Sequence, residues 1–234
     1  MFTGIITNTT SIIGHKKTAA GLTITFEKPK GWDDLELGES IATNGVCLTV
    51  AAIRKDTYEC QLVPETLAVS TFGRQLPARV NVERSLLAKD RFGGHFVQGH
   101  ADGIGTVTKL DKTKGIHLTI TFAADKADLV IYKGSITVDG VALTVTGVDT
   151  SILDSRQALP SPDQLNSARV DLPGEPAILR ESSSVFSVAI VPFTLEHTTL
   201  DLLRVGDEVN LEFDMIGKYI ARIMENRSAK SQTS

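Results

Sequence analysis

The sequence predicts a mainly β protein made of two similar units in tandem, each a small barrel or sandwich, followed by a C-terminal α-helix. Three observations carry this. Blocks of sequence recur in the same order along the chain. The recurring blocks alternate apolar and polar residues with a period of two. In the last segment the apolar residues fall instead at helical spacing.

The repeat is legible block by block. Leu22-Thr23-Ile24-Thr25-Phe26 returns unchanged at 118–122, an offset of 96 residues. Ser40–Val50 parallels Ser135–Val145 at an offset of 95, with seven of eleven positions identical. Pro64-Glu65-Thr66-Leu67 parallels Pro192-Phe193-Thr194-Leu195 at 128, and Asn81-Val82-Glu83 parallels Asn210-Leu211-Glu212 at 129. Ordered recurrence of this kind indicates duplication, and the jump in offset places an insertion in the second copy between Val145 and Pro192. Residues 151–184 fit it: with four of the eight prolines, seven serines and no apolar period, they read as an exposed loop. The units then span 1–98 and 99–214, with a helix and tail at 215–234. Gly103-Ile104 aligns with Gly4-Ile5, which sets His100 opposite the start of the chain.

Within each unit, Asn44-Gly45 and Asp139-Gly140 are pairs that tolerate positive φ and mark hairpins. Pro64 and Pro192 suit the first position of short helical turns over Glu65–Val69 and Thr194–His197. From Ile216 to Ala229, the residues Ile216, Tyr219, Ile220, Ile223 and Met224 form one apolar stripe. Either the chain's own barrel or further copies of the helix must cover that stripe.

Composition excludes several functions. The 234 residues carry a formal charge of −4 without a basic run, which argues against binding nucleic acid. Two cysteines, Cys47 and Cys60, form no disulfide framework, and no Cys/His spacing suits zinc, so no metal is expected. The start has no signal-peptide pattern and no apolar run approaches the roughly 20 residues that span a bilayer, so the chain reads as cytosolic. Nucleophile elbow, phosphate loop and dinucleotide fingerprint are all missing from the sequence.

Two segments hold candidate chemistry. Cys47 follows the Asn44-Gly45 turn and is matched by Ala142 in the second copy; it is either a small core residue or a functional thiol present once. Cys60 has no such context and reads as core. Gly93–Gly103 packs His95 and His100 among four glycines, a backbone suited to close approach, with imidazoles able to exchange protons near neutral pH. His15, His117 and His197 read as surface residues.

Taken together, Met1-Phe2-Thr3-Gly4-Ile5, Asn44-Gly45-Val46-Cys47-Leu48-Thr49-Val50, Asn81–Ser85, Gly93–His100 and Asp139–Val145 resemble the riboflavin synthase family over nearly the whole chain outside 151–184. The resemblance implies two similar six-stranded Greek-key β-barrels in tandem. It also implies a C-terminal helix that assembles a homotrimer, and sites formed between the N-terminal barrel of one subunit and the C-terminal barrel of another. The implied reaction moves a four-carbon unit between two molecules of 6,7-dimethyl-8-ribityllumazine, giving riboflavin and 5-amino-6-(ribitylamino)uracil without a cofactor.

By the same resemblance His100 is a proton-transfer candidate and Cys47 a nucleophile or polar contact, with Asp139 and Thr144 completing the catalytic set. Thr49 and Thr144 hydrogen-bond the two rings. The binding pockets are lined by Gly4, Ile5 and Ile6, by Cys47, Leu48 and Thr49, and by Gln61, Leu62, Val63, Pro64, Glu65 and Thr66. Gly99, His100 and Ala101 belong with them, as do Lys133, Ala142, Leu143 and Thr144, and Ala189, Ile190, Val191, Pro192, Phe193 and Thr194. One position departs from the family pattern: Ala142 stands where many members carry serine, which removes a donor and an acceptor. The alternatives are a non-catalytic lumazine or flavin carrier on the same fold, against which Cys47 and His100 both argue, and a purely structural role, which leaves the glycine-histidine segment unexplained.

Overall fold

A computed structural model describes residues 1–113, 115–149 and 183–231. Strands β1 (Asn8–Thr18), β2 (Gly21–Glu27), β3 (Ser40–Thr43), β4 (Val46–Ile53), β5 (Thr57–Leu62) and β6 (Arg79–Arg84) close into an antiparallel barrel in the order β1-β2-β5-β4-β3-β6. Strands β7 (Gly103–Asp111), β8 (Ile116–Ala123), β9 (Ser135–Val138), β10 (Val141–Asp149), β11 (Ser183–Ile190) and β12 (Glu208–Phe213) close a second barrel with the same cyclic order. Two Greek-key barrels in tandem are therefore the architecture. Closure leaves no strand edge unpaired, and the period-two alternation sends one side-chain set into each lumen. Ile24, Phe26, Tyr58 and Val82 fill the first, with Phe26 and Tyr58 stacked 5.1 Å apart; Ile120, Phe122, Phe186 and Leu211 fill the second.

The duplication extends to irregularities. Register shifts between Ile12 and Gly14 and between Val50 and Ala52 recur between Val107 and Lys109 and between Val145 and Gly147. These bulges repeat at an offset of 95, as expected for features that set barrel curvature. The identical pentapeptide behaves differently. Ile24 faces Cys60, and Leu118 faces Val188, the counterpart of Cys60, so β2 and β8 correspond at an offset of 94 rather than 96. A slip of two residues keeps every side chain on its own face, which is why the sequence match survives a different register.

The insertion read over 151–184 lies mostly outside the described residues. Its last two residues, Ser183 and Ser184, are not loop: they open β11, pairing with Ala123 and Phe122, and Ser184 is buried. Short helices α1 (Pro64–Val69) and α2 (Pro192–His197) begin at the predicted prolines.

The barrels meet on a pseudo-twofold axis. Phe2 and Val97 form a reciprocal backbone bridge, with N–H to O distances of 2.8 and 3.2 Å. The two hairpin turns lie back to back: a Cβ on Gly45 would sit 2.8 Å from Gly140 N, and one on Gly140 would sit 2.7 Å from Gly45 N. Glycine is required there by contact as well as by positive φ. Asn81 and Asn210 staple this seam symmetrically. Asn81 Nδ2 donates to Asp139 O (3.0 Å) and its Oδ1 accepts from Thr199 N (2.7 Å). Asn210 Nδ2 donates to Asn44 O (2.9 Å) and its Oδ1 accepts from Thr71 N (2.8 Å).

Helix α3 (Met215–Ser231) leaves the second barrel, tethered by Lys218 Nζ to Asp102 at 2.6 Å. Its stripe of Ile216, Tyr219, Ile220, Ile223 and Met224 is more than half exposed within the protomer. No helix among the described residues is long and apolar enough to cross a membrane.

Candidate functional site

The predicted site residues assemble into two equivalent cradles. In the first, β4 carries Cys47, Leu48 and Thr49 past the end of β5. Val50 pairs with Cys60 inside the barrel, so one step along the ladder Thr49 and Gln61 both face outward. Leu62 is buried, and Val63 leads into α1, whose Pro64, Glu65 and Thr66 form the rim. The second cradle repeats this arrangement. Val145 pairs with Val188, Thr144 and Ala189 face outward, Leu143 and Ile190 are buried, and Val191 leads into α2 with exposed Pro192 and Phe193 and half-buried Thr194.

Each cradle is completed by a segment that precedes the other barrel. Cys47 N donates to Gly99 O at 2.7 Å, and Ala142 N donates to Gly4 O at 2.8 Å. Both glycines have left-handed backbone, φ 77° and 75°, and a side chain on either would meet the partner Cβ at 2.7 or 2.6 Å. Ala101 accordingly packs on the first barrel's core and Ile6 on the second's. These contacts correct the expected alignment. The counterpart of Gly4 is Gly99 and not Gly103, because Gly4 and Gly99 share the φ, the acceptor role and the close contact. His100 therefore corresponds to Ile5.

Behind each segment stands a buried carboxylate that the sequence reading found as a repeat but gave no role. Glu83 on β6 accepts from Thr3 N (2.7 Å), Thr3 Oγ1 (2.7 Å) and Gly4 N (2.9 Å). Glu212 on β12 accepts from Gln98 N (2.7 Å), Gly99 N (2.9 Å) and His100 N (3.0 Å). Burial pushes both carboxyls above their ordinary range, while these donors act in the opposite direction. The duplicated Asn-x-Glu spacing was the available signal.

The titratable candidates separate by environment. Cys47 is half-buried beside Phe2, Ala42 and Val97, whereas Cys60 lies fully buried in the barrel, its thiol pushed up to about 12 by desolvation. His100 is exposed at the mouth of the first cradle; His95 is half-buried, and desolvation lowers its imidazole below the ordinary value. His15, His117 and His197 are exposed, as read from the sequence, and His197 stacks on Phe193 at 4.0 Å. Lys133 lies in the turn before β9, its N–H donating to Val145 O at 2.9 Å, which places it beside Thr144.

Asp139 is not brought to either cradle. Its carboxyl accepts from Asn210 N at 2.9 Å, and burial raises it to about 7. It lines a cleft of about 590 Å³ along the seam, with Asn44, Thr71 and Thr199. The reason is topological: the Asp139-Gly140 turn is the part of its hairpin nearest the axis. A larger cleft of about 1100 Å³ beside the first barrel, between Trp32, Arg84 and Leu87, takes Ile5 alone from the predicted set. With Thr49, Gln61, Thr144 and Ala189 exposed, the cradles are open barrel faces.

Comparison with known proteins agrees with this duplicated plan. The lumazine binding domain model matches residues 3–85 and again 98–214. The riboflavin synthase of Bacillus amyloliquefaciens is 34% identical over 96% of this chain and 90% of its own length. That of Mycobacterium bovis is 34% identical over 97% and 99%, and that of Schizosaccharomyces pombe 31% over 96% and 94%. Among solved structures, LumP complexed with 6,7-dimethyl-8-(1'-D-ribityl) lumazine superposes with a TM-score of 0.66 at 18% identity, covering 91% of this chain and 99% of that one, a likeness of fold. Two lumazine-binding repeats and full-length kinship with these enzymes place the chain in the riboflavin synthase family.

Proposed function

We propose that the protein catalyses the riboflavin synthase reaction. Two molecules of 6,7-dimethyl-8-ribityllumazine exchange a four-carbon unit to give riboflavin and 5-amino-6-(ribitylamino)uracil, without a cofactor. The observation that carries this reading is the repetition of one cradle in one chain, Cys47–Thr49 under Gly99–Ala101 and Ala142–Thr144 under Gly4–Ile6. A reaction between two identical heterocycles calls for two like receptors. Holding both in contact makes the encounter effectively unimolecular, with effective molarities on the order of 10⁵ M or more.

The reaction needs a base for the 7-methyl group of one lumazine and a group that adds to, or delivers water to, the other ring. His100, at the mouth of the first cradle, is the proton-transfer residue, and the half-buried Cys47 is the nucleophile or polar contact. Thr49 and Thr144, at matching outward positions, hydrogen-bond the rings. Lys133 sets a cation beside the second cradle. Ala142 contributes no hydroxyl, so water takes the place of the serine found in many family members. Asp139 acts from the seam by holding Asn210 and the turn that leads into Ala142.

Because the cradles are open faces, a surface from elsewhere must close them. In this reading a homotrimer assembled through the exposed α3 stripe brings the N-terminal cradle of one subunit against the C-terminal cradle of the next, in the cytosol. The test is direct. Purified protein given only 6,7-dimethyl-8-ribityllumazine should develop riboflavin absorbance with no added metal or nucleotide, and His100→Ala should keep ligand binding while losing most turnover. Tight binding without conversion by the unsubstituted protein would make it a carrier, and undiminished turnover by His100→Ala would remove that residue from the mechanism.

A further inference from the structure

We infer that Glu212 and Glu83 are positioning residues acting across the barrels: each carboxylate belongs to one barrel and fixes the wall of the other barrel's cradle. Glu212 lies on β12 of the second barrel, yet the three N–H groups it holds, those of Gln98, Gly99 and His100, carry the wall over Cys47 in the first. Glu83 lies on β6 of the first barrel and holds Thr3 and Gly4, the wall over Ala142 in the second. The side chains are 2% and 4% exposed, so water does not compete for these bonds. Hydrogen bonds to a charged acceptor are roughly twice as strong as neutral ones, so three of them hold a short loop that contains glycine.

The two clamps are not identical. In the first copy the Thr3 hydroxyl bridges onward, accepting from Ile5 N at 3.1 Å, whereas in the second the His100 N–H reaches Glu212 directly. The imidazole of His100 therefore hangs from a backbone fixed by Glu212. The inference rests on the proposed function in treating His100 and Cys47 as parts of a substrate cradle. The crossed holding itself can be tested without substrate.

Cys47 reports on its own wall. Gly99 is packed against its Cβ, while Cys60, buried with its thiol pushed up to about 12, stays silent in folded protein. The full chain is treated with an aromatic disulfide reagent whose released thiolate is coloured, as wild type, Glu212→Gln and Glu83→Gln. Glu212→Gln should raise the Cys47 rate about tenfold or more, the loss of roughly one charge-assisted hydrogen bond. Glu83→Gln, nearer in sequence and on the cysteine's own barrel, should leave it within about twofold of wild type. Equal acceleration by both, or by neither, overturns the inference.

Should a variant fail to fold, amide exchange in the wild-type chain decides. The amides of Thr3, Gly4, Gln98, Gly99 and His100 should exchange at least 100-fold more slowly than unprotected amides, although His100 is exposed; free exchange overturns the clamp. In turnover, Glu212→Gln should lower kcat at least tenfold with a smaller change in KM, because the base is displaced more than the pocket. A thiol result as expected with no turnover by wild type would leave the clamp standing and remove the proposed reaction. Wild-type turnover with an unmoved Glu212→Gln would do the reverse.

Discussion

Lys133 occupies left-handed backbone, φ 64°, at the position where the first copy has Gly38 at φ 84°. Its counterpart relationship is fixed by a shared bond, since Gly38 N donates to Val50 O and Lys133 N to Val145 O, both at 2.9 Å. A non-glycine residue in this region costs roughly 1 kcal/mol. In the proposed reading this strain is kept because the Lys133 side chain serves the second cradle. Lys133→Gly should therefore raise stability by roughly 1 kcal/mol in urea unfolding while weakening binding of 6,7-dimethyl-8-ribityllumazine; a variant that loses stability and binds normally would show that the lysine serves the turn alone. Cys60 illustrates what sequence reads well at this scale. It reads as core from sequence and is core in the structure, whereas the sequence leaves Cys47 open between a core residue and a functional thiol and the fold makes it half-buried. Glu83 and Glu212 show the opposite. As residues on strands they look like ordinary surface acids, and only the approach of a distant loop reveals their work.

Among the elements, the two hairpins joining β3 to β4 and β9 to β10 act as hinges of the seam, and they differ by one atom. Asn44 Oδ1 accepts from Asn81 N at 2.7 Å, and Asp139 Oδ1 accepts from Asn210 N at 2.9 Å, so an amide and a carboxyl do the same job. Burial raises Asp139 from 3.8 to about 7, aided by nearby Asp207, against the hydrogen bond from Asn210. Between these values the native state keeps a proton that the unfolded chain releases, so stability falls as pH rises from about 4 to about 7 and is flat above. Asp139→Asn removes that loss. Its Tm should match wild type near pH 4 and exceed it by several degrees at pH 7.5; a constant difference across this range would refute the assignment. The hairpin pairs were legible as turns from Asn-Gly and Asp-Gly. That they pack against each other was not, because the sequence shows which φ a glycine permits and not which backbone it faces. The Leu-Thr-Ile-Thr-Phe repeat misled for a related reason: alternation specifies a face, while register is settled by pairing with β5 and β11.

At the scale of the whole molecule, crossed walls and stapled asparagines make two barrels one unit, while α3 leaves an uncovered apolar stripe. Ile220→Asp puts a charge in the middle of that stripe at a position 56% exposed in the protomer, so the barrels should fold unchanged. Sedimentation should show a trimer for wild type and a monomer for the variant, with turnover lost; a wild type that sediments as a monomer would remove the proposed assembly. Read along the chain alone, the residues sufficed for the duplication, the β period, the hairpin turns and the prolines that start α1 and α2. All of these follow from local backbone preference or from repetition along one chain. That each cradle borrows its wall from the segment before the other barrel, that Gly99 rather than Gly103 answers Gly4, and that Asp139 lies at the seam emerge only in three dimensions. Those outcomes depend on which distant groups satisfy buried N–H donors, a question settled in space by the pseudo-twofold axis and left open by any spacing along the chain.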